Sequence, residues 1–232
     1  MEESLKKEPL LSSTTQLRVI LLLLPIALTM CMYFFFTWNE LQVVPIFEKL
    51  TPQKQLAEIQ QHFDMAIPEP LLPIYMAAEE KYHVPWTLLA AHHRIETRFS
   101  TLKSLISPVG ATGHMQFMPC TFVGWQHPTC SGLGKGNIPQ EELTNPAAIK
   151  KYGGYGIDGN GDGVADPYNM EDAIFSAAHY LAKNGAADGK IEQAVFQYNH
   201  SDEYVEKVLE HFMMYNEYHD EMRAIVLAKT TK

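Results

Sequence analysis

Glu96 is the residue of this chain whose type and surroundings best suit it to chemistry. It closes an apolar helical pattern in Arg94-Ile-Glu-Thr-Arg-Phe-Ser100. The chain then runs into Ser107-Pro-Val-Gly-Ala-Thr-Gly-His-Met-Gln-Phe-Met-Pro119, with glycines at 110 and 113 and an uncharged Met-Gln-Phe-Met segment. A carboxylate leaving a buried helix against a glycine-bent wall of sulfur and aromatic side chains can keep its proton near neutral pH, because desolvation penalises the charged form. That is what a general acid needs. The competing reading is a carboxylate paired with Arg94, Arg98 or Lys103. Small residues at 107–113 let the backbone come close to a ligand, and the Gln116 amide can read hydroxyl or acetamido groups. Phe117 and Met118 are either groove wall or core. Tyr198, Asn199 and Tyr204 are aromatic and amide groups of the kind that pack against sugar rings, although packing alone accounts for either tyrosine. His92 and His93 read as helix residues with satisfied hydrogen bonds, since no third ligand stands at metal-site spacing.

A second stretch with chemistry in it is Asp158-Gly-Asn-Gly-Asp-Gly-Val-Ala-Asp166. Oxygen side chains at loop positions 1, 3 and 5, with Gly163 at position 6, match the first half of an EF-hand calcium loop. Position 12, normally a glutamate, is Asn169, so Glu171 and Asp172 are the carboxylates left to close the shell. The expected ligands are Asp158, Asn160, Asp162 and the carbonyl of Val164, with Asp166 left open. The alternative is a polar turn without metal.

The elements that must position these residues are helical. Leu71, Ile74, Tyr75, Ala78 and Tyr82 fall at helical spacing, giving a helix over about 70–82. Val84-Pro85-Trp86 breaks it and opens a second helix over about 86–99, in which Glu96 shares a face with Leu88, Leu89, His92, Ile95 and Phe99. A glycine-rich loop at 132–136 follows, then helices over about 170–183, 191–198 and 202–227.

Ahead of this domain lies a stretch of a different kind. Val19 to Trp38 are twenty residues without a charge, enough to span a ~30 Å hydrocarbon core at ~1.5 Å per residue. The reading is a polar tail at 1–18, a transmembrane helix at 19–38, a connector at 39–68 with a short helix at 55–63, and a catalytic domain at 69–228. A cleaved signal peptide is the alternative, but no small-x-small site follows the run. Lys6, Lys7 and Arg18 precede the span, while Glu40 and Glu48 follow it. The tail is therefore expected in the cytoplasm and the domain outside, as a single-pass membrane protein. Cys31 is an ordinary thiol within the span. Outside the cytoplasm Cys120 and Cys130 can pair as a disulfide, the alternative being two free thiols. Residues 1–38 carry three basic and three acidic side chains, so 39–232 hold the whole net charge of −9. An acidic domain without a basic stripe excludes nucleic acid as the expected partner.

Taken together, Ile95-Glu-Thr-Arg-Phe-Ser100, Ser107-Pro-Val-Gly-Ala-Thr-Gly113 with Met115-Gln-Phe-Met-Pro119, Asp172-Ala-Ile-Phe-Ser-Ala-Ala-His-Tyr-Leu181 and Tyr198-Asn-His-Ser201 resemble the lytic transglycosylases of bacterial cell-wall metabolism. The resemblance covers residues 70 to 212 and is carried by four motifs in order. It implies a mainly α, lysozyme-like catalytic domain with at most a minor sheet, acting on peptidoglycan glycan strands. The Asp/Asn/Gly loop looks like that of the calcium-binding, membrane-bound B-type branch. That likeness favours Asp172 as the closing ligand of a structural Ca2+, with no organic cofactor implied. It also implies that Glu96 is the acid/base, that Ser107 orients substrate, that Gln116, Phe117 and Met118 line the groove, and that Tyr180, Tyr198, Asn199 and Tyr204 complete the site. His114 departs from the pattern, as does the Cys120/Cys130 pair.

Many glycosidases use two carboxylates, whereas one good candidate stands here. The resemblance implies a glycan-cleaving lyase. Glu96 would protonate the bond between MurNAc and GlcNAc, then activate the MurNAc 6-hydroxyl to give a 1,6-anhydro product. A goose-type-lysozyme-like muramidase and a non-catalytic wall-binding scaffold are the competing readings.

Overall fold

The computed structural model describes residues 14, 18, 21–26, 28–33 and 67–230, and the chain divides into two units, residues 1–50 and 51–232. In the first unit residues 21–26 and 28–33 are helical, and their large apolar side chains are exposed. Among the described residues no helix is long and apolar enough to cross a membrane. The other positions of 19–38, most of the tail, and the connector from 39 to 66 with its expected helix lie outside the described residues.

The second unit is helical. Among its described residues there is no strand, only isolated bridges pairing Ile106 with Thr112 and Thr112 with Phe117. A 3-10 turn at Glu69–Leu71 leads into α1 (Leu72–Tyr82), α2 (Trp86–Thr97), α3 (Pro119–Val123), α4 (Gln140–Leu143), α5 (Pro146–Tyr152) and α6 (Met170–Lys183). After a second 3-10 turn at Ala186–Asp188 come α7 (Ile191–Asn199), α8 (Asp202–Glu217) and α9 (His219–Thr230).

The helix that carries Glu96, α2, runs through the middle of this unit. Nine of its twelve residues, from Trp86 to His93 and again at Thr97, are buried, as expected of a helix packed on most sides. It lies against α8, α1 and α6, where Tyr75, Leu89, Ile174, Leu181 and Val208 form the main core. Met115, Phe117, Phe122, Val123, Ile149 and Ala177 make a smaller cluster around α3 and α5, and Tyr198 packs on both. The two clusters therefore meet at the residues expected to face substrate.

Local signals explain most boundaries. Pro85 precedes α2, which closes on Arg98 in the left-handed region. Asn169 caps α6 by accepting from the amides of Glu171 and Asp172 at 2.9 and 3.3 Å. The helix expected over 202–227 is in fact two, because Tyr218 leaves helical geometry. The redirected chain buries Met222 and Val226, stacks His219 on Trp86 at 5.7 Å and brings Arg223 to 2.8 Å from Glu79. These tertiary contacts outweigh continued helix propensity. Between 119 and 152, where only a glycine-rich loop was expected beyond Pro119, three short helices form.

The smaller lobe is drawn tight at one crossing. A Cβ on Gly124 would lie 2.1 Å from the Tyr152 carbonyl oxygen, and one on Gly154 2.3 Å from that of Phe122. Two backbones thus pass where no side chain fits, and the crossing delivers Tyr155 to the edge of a cleft. Cys120 and Cys130 are joined as a disulfide with Cα atoms 5.7 Å apart. The Cys120 amide also holds the loop by donating to Gly134 at 2.9 Å.

Candidate active site

Glu96 is the penultimate residue of α2 and is partly buried. Its carboxyl is paired with none of the cations considered above. It accepts a hydrogen bond from the hydroxyl of Tyr204, on the first turn of α8. Burial pushes the carboxyl up from 4.5 to about 7, with the Tyr204 bond opposing the rise. Since Tyr204 gives its proton to Glu96 Oε1, its oxygen is left to accept from His92 Nδ1 at 3.0 Å. His92 must then carry its proton on Nδ1. Its Nε2 is buried without a partner, so the expectation of a fully satisfied ring holds for one nitrogen. Burial holds His92 down to about 3, and the ring is neutral wherever the protein is folded near neutral pH.

Beside this pair a cleft of about 420 Å3 is lined by Gln116, Phe117, Met118, Tyr155, Tyr180 and Tyr198, together with Thr121, Trp125, Asn184, Gln197 and His200. The Tyr155 and Tyr180 ring centroids are 4.6 Å apart, those of Tyr180 and Tyr198 5.1 Å, and those of Phe117 and Tyr198 5.6 Å. Such a wall of ring faces and edges with amides between them suits a sugar, which has an apolar body and a polar rim. Tyr198 is fixed by donating to the Met115 carbonyl at 2.8 Å, and Tyr180 by donating to that of Gln197 at 2.7 Å. Burial, and next the charge of Glu96, raise the Tyr198 hydroxyl. Tyr198 is therefore the element shared between the cleft and the carboxyl. No Asp or Glu is among the lining residues.

Larger grooves lie elsewhere among the described residues: one of about 980 Å3 runs between α7 and α8, one of about 700 Å3 flanks α2 at Arg94 and Arg98, and one of about 440 Å3 lies at α5 beside Asp158 and His179. None has a tyrosine in its lining, so size is not what marks the site.

The expected site residues separate into groups. Phe117, Met118, Tyr180 and Tyr198 are brought together on the cleft, and Tyr204 on Glu96. Gln116 also lines the cleft, and its amide nitrogen donates to the carbonyls of Leu105 and Gly113 at 2.9 and 2.8 Å, bracing the loop. Ser107 Oγ accepts from the Ala111 amide at 2.9 Å, closing the same loop. Asn199 is exposed and outside the cleft lining. Tyr155 and Trp125 were not anticipated. The glycines at 153, 154 and 156 around Tyr155 were the signal for the first, since they announce a backbone pressed against another segment.

In the Asp/Asn/Gly loop, Asp158 accepts from the amides of Gly161, Asp162 and Gly163 at 2.7, 3.1 and 2.8 Å. Asp162 accepts from Val164 at 2.9 Å and from the Asn160 amide group at 3.0 Å. Asp172, wholly buried by surface area, accepts from Gly159 and Asn160 at 2.7 and 3.3 Å through one oxygen and from Asp166 at 2.9 Å through the other. Burial raises Asp172, against the pull of those amides, and the charge of Asp162 raises it further. The donor set is the hard-oxygen chemistry that calcium takes. Among the described residues, however, no group of three or more His, Cys, Asp or Glu is gathered to hold a metal ion. The side chains here satisfy the loop's own amides, with lone pairs to spare.

The family model of the Transglycosylase SLT domain matches residues 149–194, which contain the Asp/Asn/Gly loop, α6 with Tyr180, and the start of α7. That match supports kinship with transglycosylase domains of the lysozyme-like class, and it does not reach Glu96. The L-Ala--D-Glu endopeptidase of Bacillus subtilis (strain 168) is 26% identical over 148 residues, 63% of this chain and 42% of that protein. The chain thus spans less than half the length of this curated relative. No solved structure matches.

Proposed function

We propose that the chain is a peptidoglycan lytic transglycosylase, held by residues 19–38 as a single-pass anchor with its catalytic unit outside the cell membrane. The observation that carries the proposal is a glutamic acid raised to about 7 beside a tyrosine-lined cleft with no second carboxylate in its lining. Near neutral pH Glu96 is present in both protonation states, which suits a group that must first give a proton and then take one. In the first step its proton passes to the glycosidic oxygen of the MurNAc–GlcNAc β-1,4 bond as that bond breaks. In the second the carboxylate takes the proton of the MurNAc 6-hydroxyl as its oxygen closes on C1, giving a 1,6-anhydro sugar. Tyr204 holds Oε1 throughout, leaving the other carboxyl oxygen to exchange the proton.

The twenty uncharged residues and the exposed apolar side chains at 21–26 and 28–33 support the anchor. The Cys120–Cys130 disulfide supports an oxidising, extracytoplasmic setting. Calcium is proposed to be held by Asp158, Asn160, Asp162, the Val164 carbonyl and Asp172, and to supply stability rather than chemistry. Peptide cleavage, named for the relative, is not carried over.

Mass spectrometry of purified peptidoglycan digested by the full-length protein tests the reaction. Anhydro ends, one water lighter than reducing ends, are expected, and Glu96→Gln should abolish their release while leaving glycan binding in place. Reducing ends would identify a muramidase instead. Failure to release any fragment would leave a wall-binding scaffold.

A further inference from the structure

Ser100 and His114 stand at the centre of a hydrogen-bonded chain that the reaction above does not use. His114 presents Nε2 at 2.8 Å to the Tyr168 carbonyl oxygen. A carbonyl only accepts, so Nε2 carries the proton, and in the single-proton tautomer that this selects Nδ1 is an acceptor. Nδ1 lies 2.6 Å from Ser100 Oγ, so the Ser100 hydroxyl donates to it. The single hydroxyl proton is thereby committed, and the contact of Ser100 Oγ with His93 Nε2 at 2.7 Å must run the other way, from a protonated Nε2. His93 Nδ1 is then an acceptor, and the Tyr75 hydroxyl donates to it at 2.7 Å. One carbonyl therefore sets the direction of four consecutive bonds. Burial, and then the nearby His114, hold His93 down to about 3, so that ring stays neutral.

The chain crosses the turn on which the Glu96 helix ends. Arg98, Phe99 and Ser100 have φ of 52, 57 and 66°, three consecutive side-chain-bearing residues in the left-handed region that such residues avoid. Thr97, next to Glu96, braces the turn by accepting from the Ser100 amide at 3.1 Å and donating to the His114 carbonyl at 2.8 Å. His114 thus grips the turn twice, through its backbone on Thr97 and through its ring on Ser100. Its other side is tied to 167–168, with its amide donating to Pro167 at 3.0 Å.

We propose that His114 is a positioning residue for Glu96, locking the left-handed turn after α2 through Ser100 and His93 and so fixing where the Glu96 carboxyl points relative to Tyr204 and the cleft. The inference rests on Glu96 being the acid/base. An apolar side chain at 114 would keep the backbone bonds but leave Ser100 and the Tyr168 carbonyl without their partner.

Three measurements on the full-length protein decide it. Long-range 15N–1H spectra of the imidazoles should show both His93 and His114 protonated on Nε2, and a ring protonated on Nδ1 overturns the chain. Titration of the 13C-labelled Glu96 carboxyl should move toward the ordinary glutamate range in His114→Leu and in Ser100→Ala, as the loosened helix end admits water. The same variants should lose about tenfold in kcat with KM within twofold, as a misplaced catalytic group does. His114→Asn, whose side-chain oxygen can accept from Ser100, should recover most of the loss. An unchanged Glu96 titration and kcat in His114→Leu refutes the role, and loss without recovery in His114→Asn reduces His114 to a space-filler. If the wild-type protein cleaves no glycan while the Glu96 titration still follows His114, the reaction assignment fails and the positioning stands.

Discussion

Glu96→Gln should make the protein more stable at pH 8 and change it little at pH 4. In the folded protein the carboxyl is raised from 4.5 to about 7. At ~1.4 kcal/mol per tenfold change in proton affinity, ionising it after folding costs about 3 kcal/mol more than ionising it in the unfolded chain. The sign follows from proton counting. Below 4.5 both states hold the proton, so the group contributes nothing. Between 4.5 and about 7 the unfolded chain releases its proton first, and folding stability falls as pH rises. Above about 7 the whole penalty is present. Glutamine keeps an oxygen for the Tyr204 hydroxyl and has no proton to lose, so it is free of the penalty. The advantage of the variant should therefore grow from near zero at pH 4 to about 3 kcal/mol at pH 8, roughly 6–12 °C in melting temperature for a domain of this size. Paired thermal melts at pH 4, 5, 6, 7 and 8 read the difference directly, and a difference that stays flat across that range refutes the raised carboxyl. Stability gained by removing a catalytic group is the trade expected when a site is held in an unfavourable state for its function.

Other perturbations read separate parts of the site. Tyr204→Phe removes the bond that holds the Glu96 carboxyl down, so the alkaline limb of kcat should move to higher pH, while loss of the acceptor for His92 Nδ1 should cost ~1–3 kcal/mol of stability; a limb that stays in place or moves down contradicts the geometry. Replacing Cys120 and Cys130 together by serine should lower unfolding free energy by ~2–3 kcal/mol, on a loop-entropy estimate, and an unchanged urea midpoint would show that the link adds nothing. For calcium, chelation should lower the melting temperature, and titration calorimetry should show binding that weakens in Asp172→Asn. An unchanged melting temperature with and without chelator would count against the site, because a ligand of the folded state must stabilise it by mass action.

Helices α1, α2 and α6 were legible because their apolar residues fall at helical spacing, and the start of α2 also because Val84-Pro85-Trp86 marks it. The approach of Tyr204 to Glu96 was not: 108 residues separate them, and no local pattern says which tyrosine a buried carboxyl will meet. The ambiguity over Phe117 was physical rather than a lack of signal, since one side of the ring belongs to the smaller core and another to the cleft. The short helix at Pro146–Tyr152 was readable after all. Asn145 accepts from the amides of Ala147 and Ala148 at 2.9 and 3.4 Å, Pro146 takes the first helical position, and Gly153 ends it with φ of 73°, the sequence of signals that marks a capped helix. Gln116 lines the cleft, as expected, and its amide nitrogen also braces the loop. An amide is as useful to a bent loop as to a sugar, and its φ of 51° ties it to the loop.

A single carboxyl that serves as acid and then as base must be bound unequally at its two oxygens. If both were held by donors, the carboxylate would be stabilised before the reaction and the proton lost too early; if neither were, burial alone would hold the proton too tightly to be given up as an acid. Glu96 has one donor, Tyr204, on Oε1, and its second oxygen has no hydrogen-bond partner among the described residues. The donor is itself oriented by His92 Nδ1 at 3.0 Å, a ring that stays neutral because it is buried, so the Tyr204 proton is directed at Glu96 in both halves of the proposed cycle. The bond strengthens as the carboxylate forms, favouring proton departure when a glycosidic oxygen is there to receive it. A second carboxylate nearby would raise Glu96 further, and the cleft lining, which holds none, suits the proposed single-carboxyl chemistry.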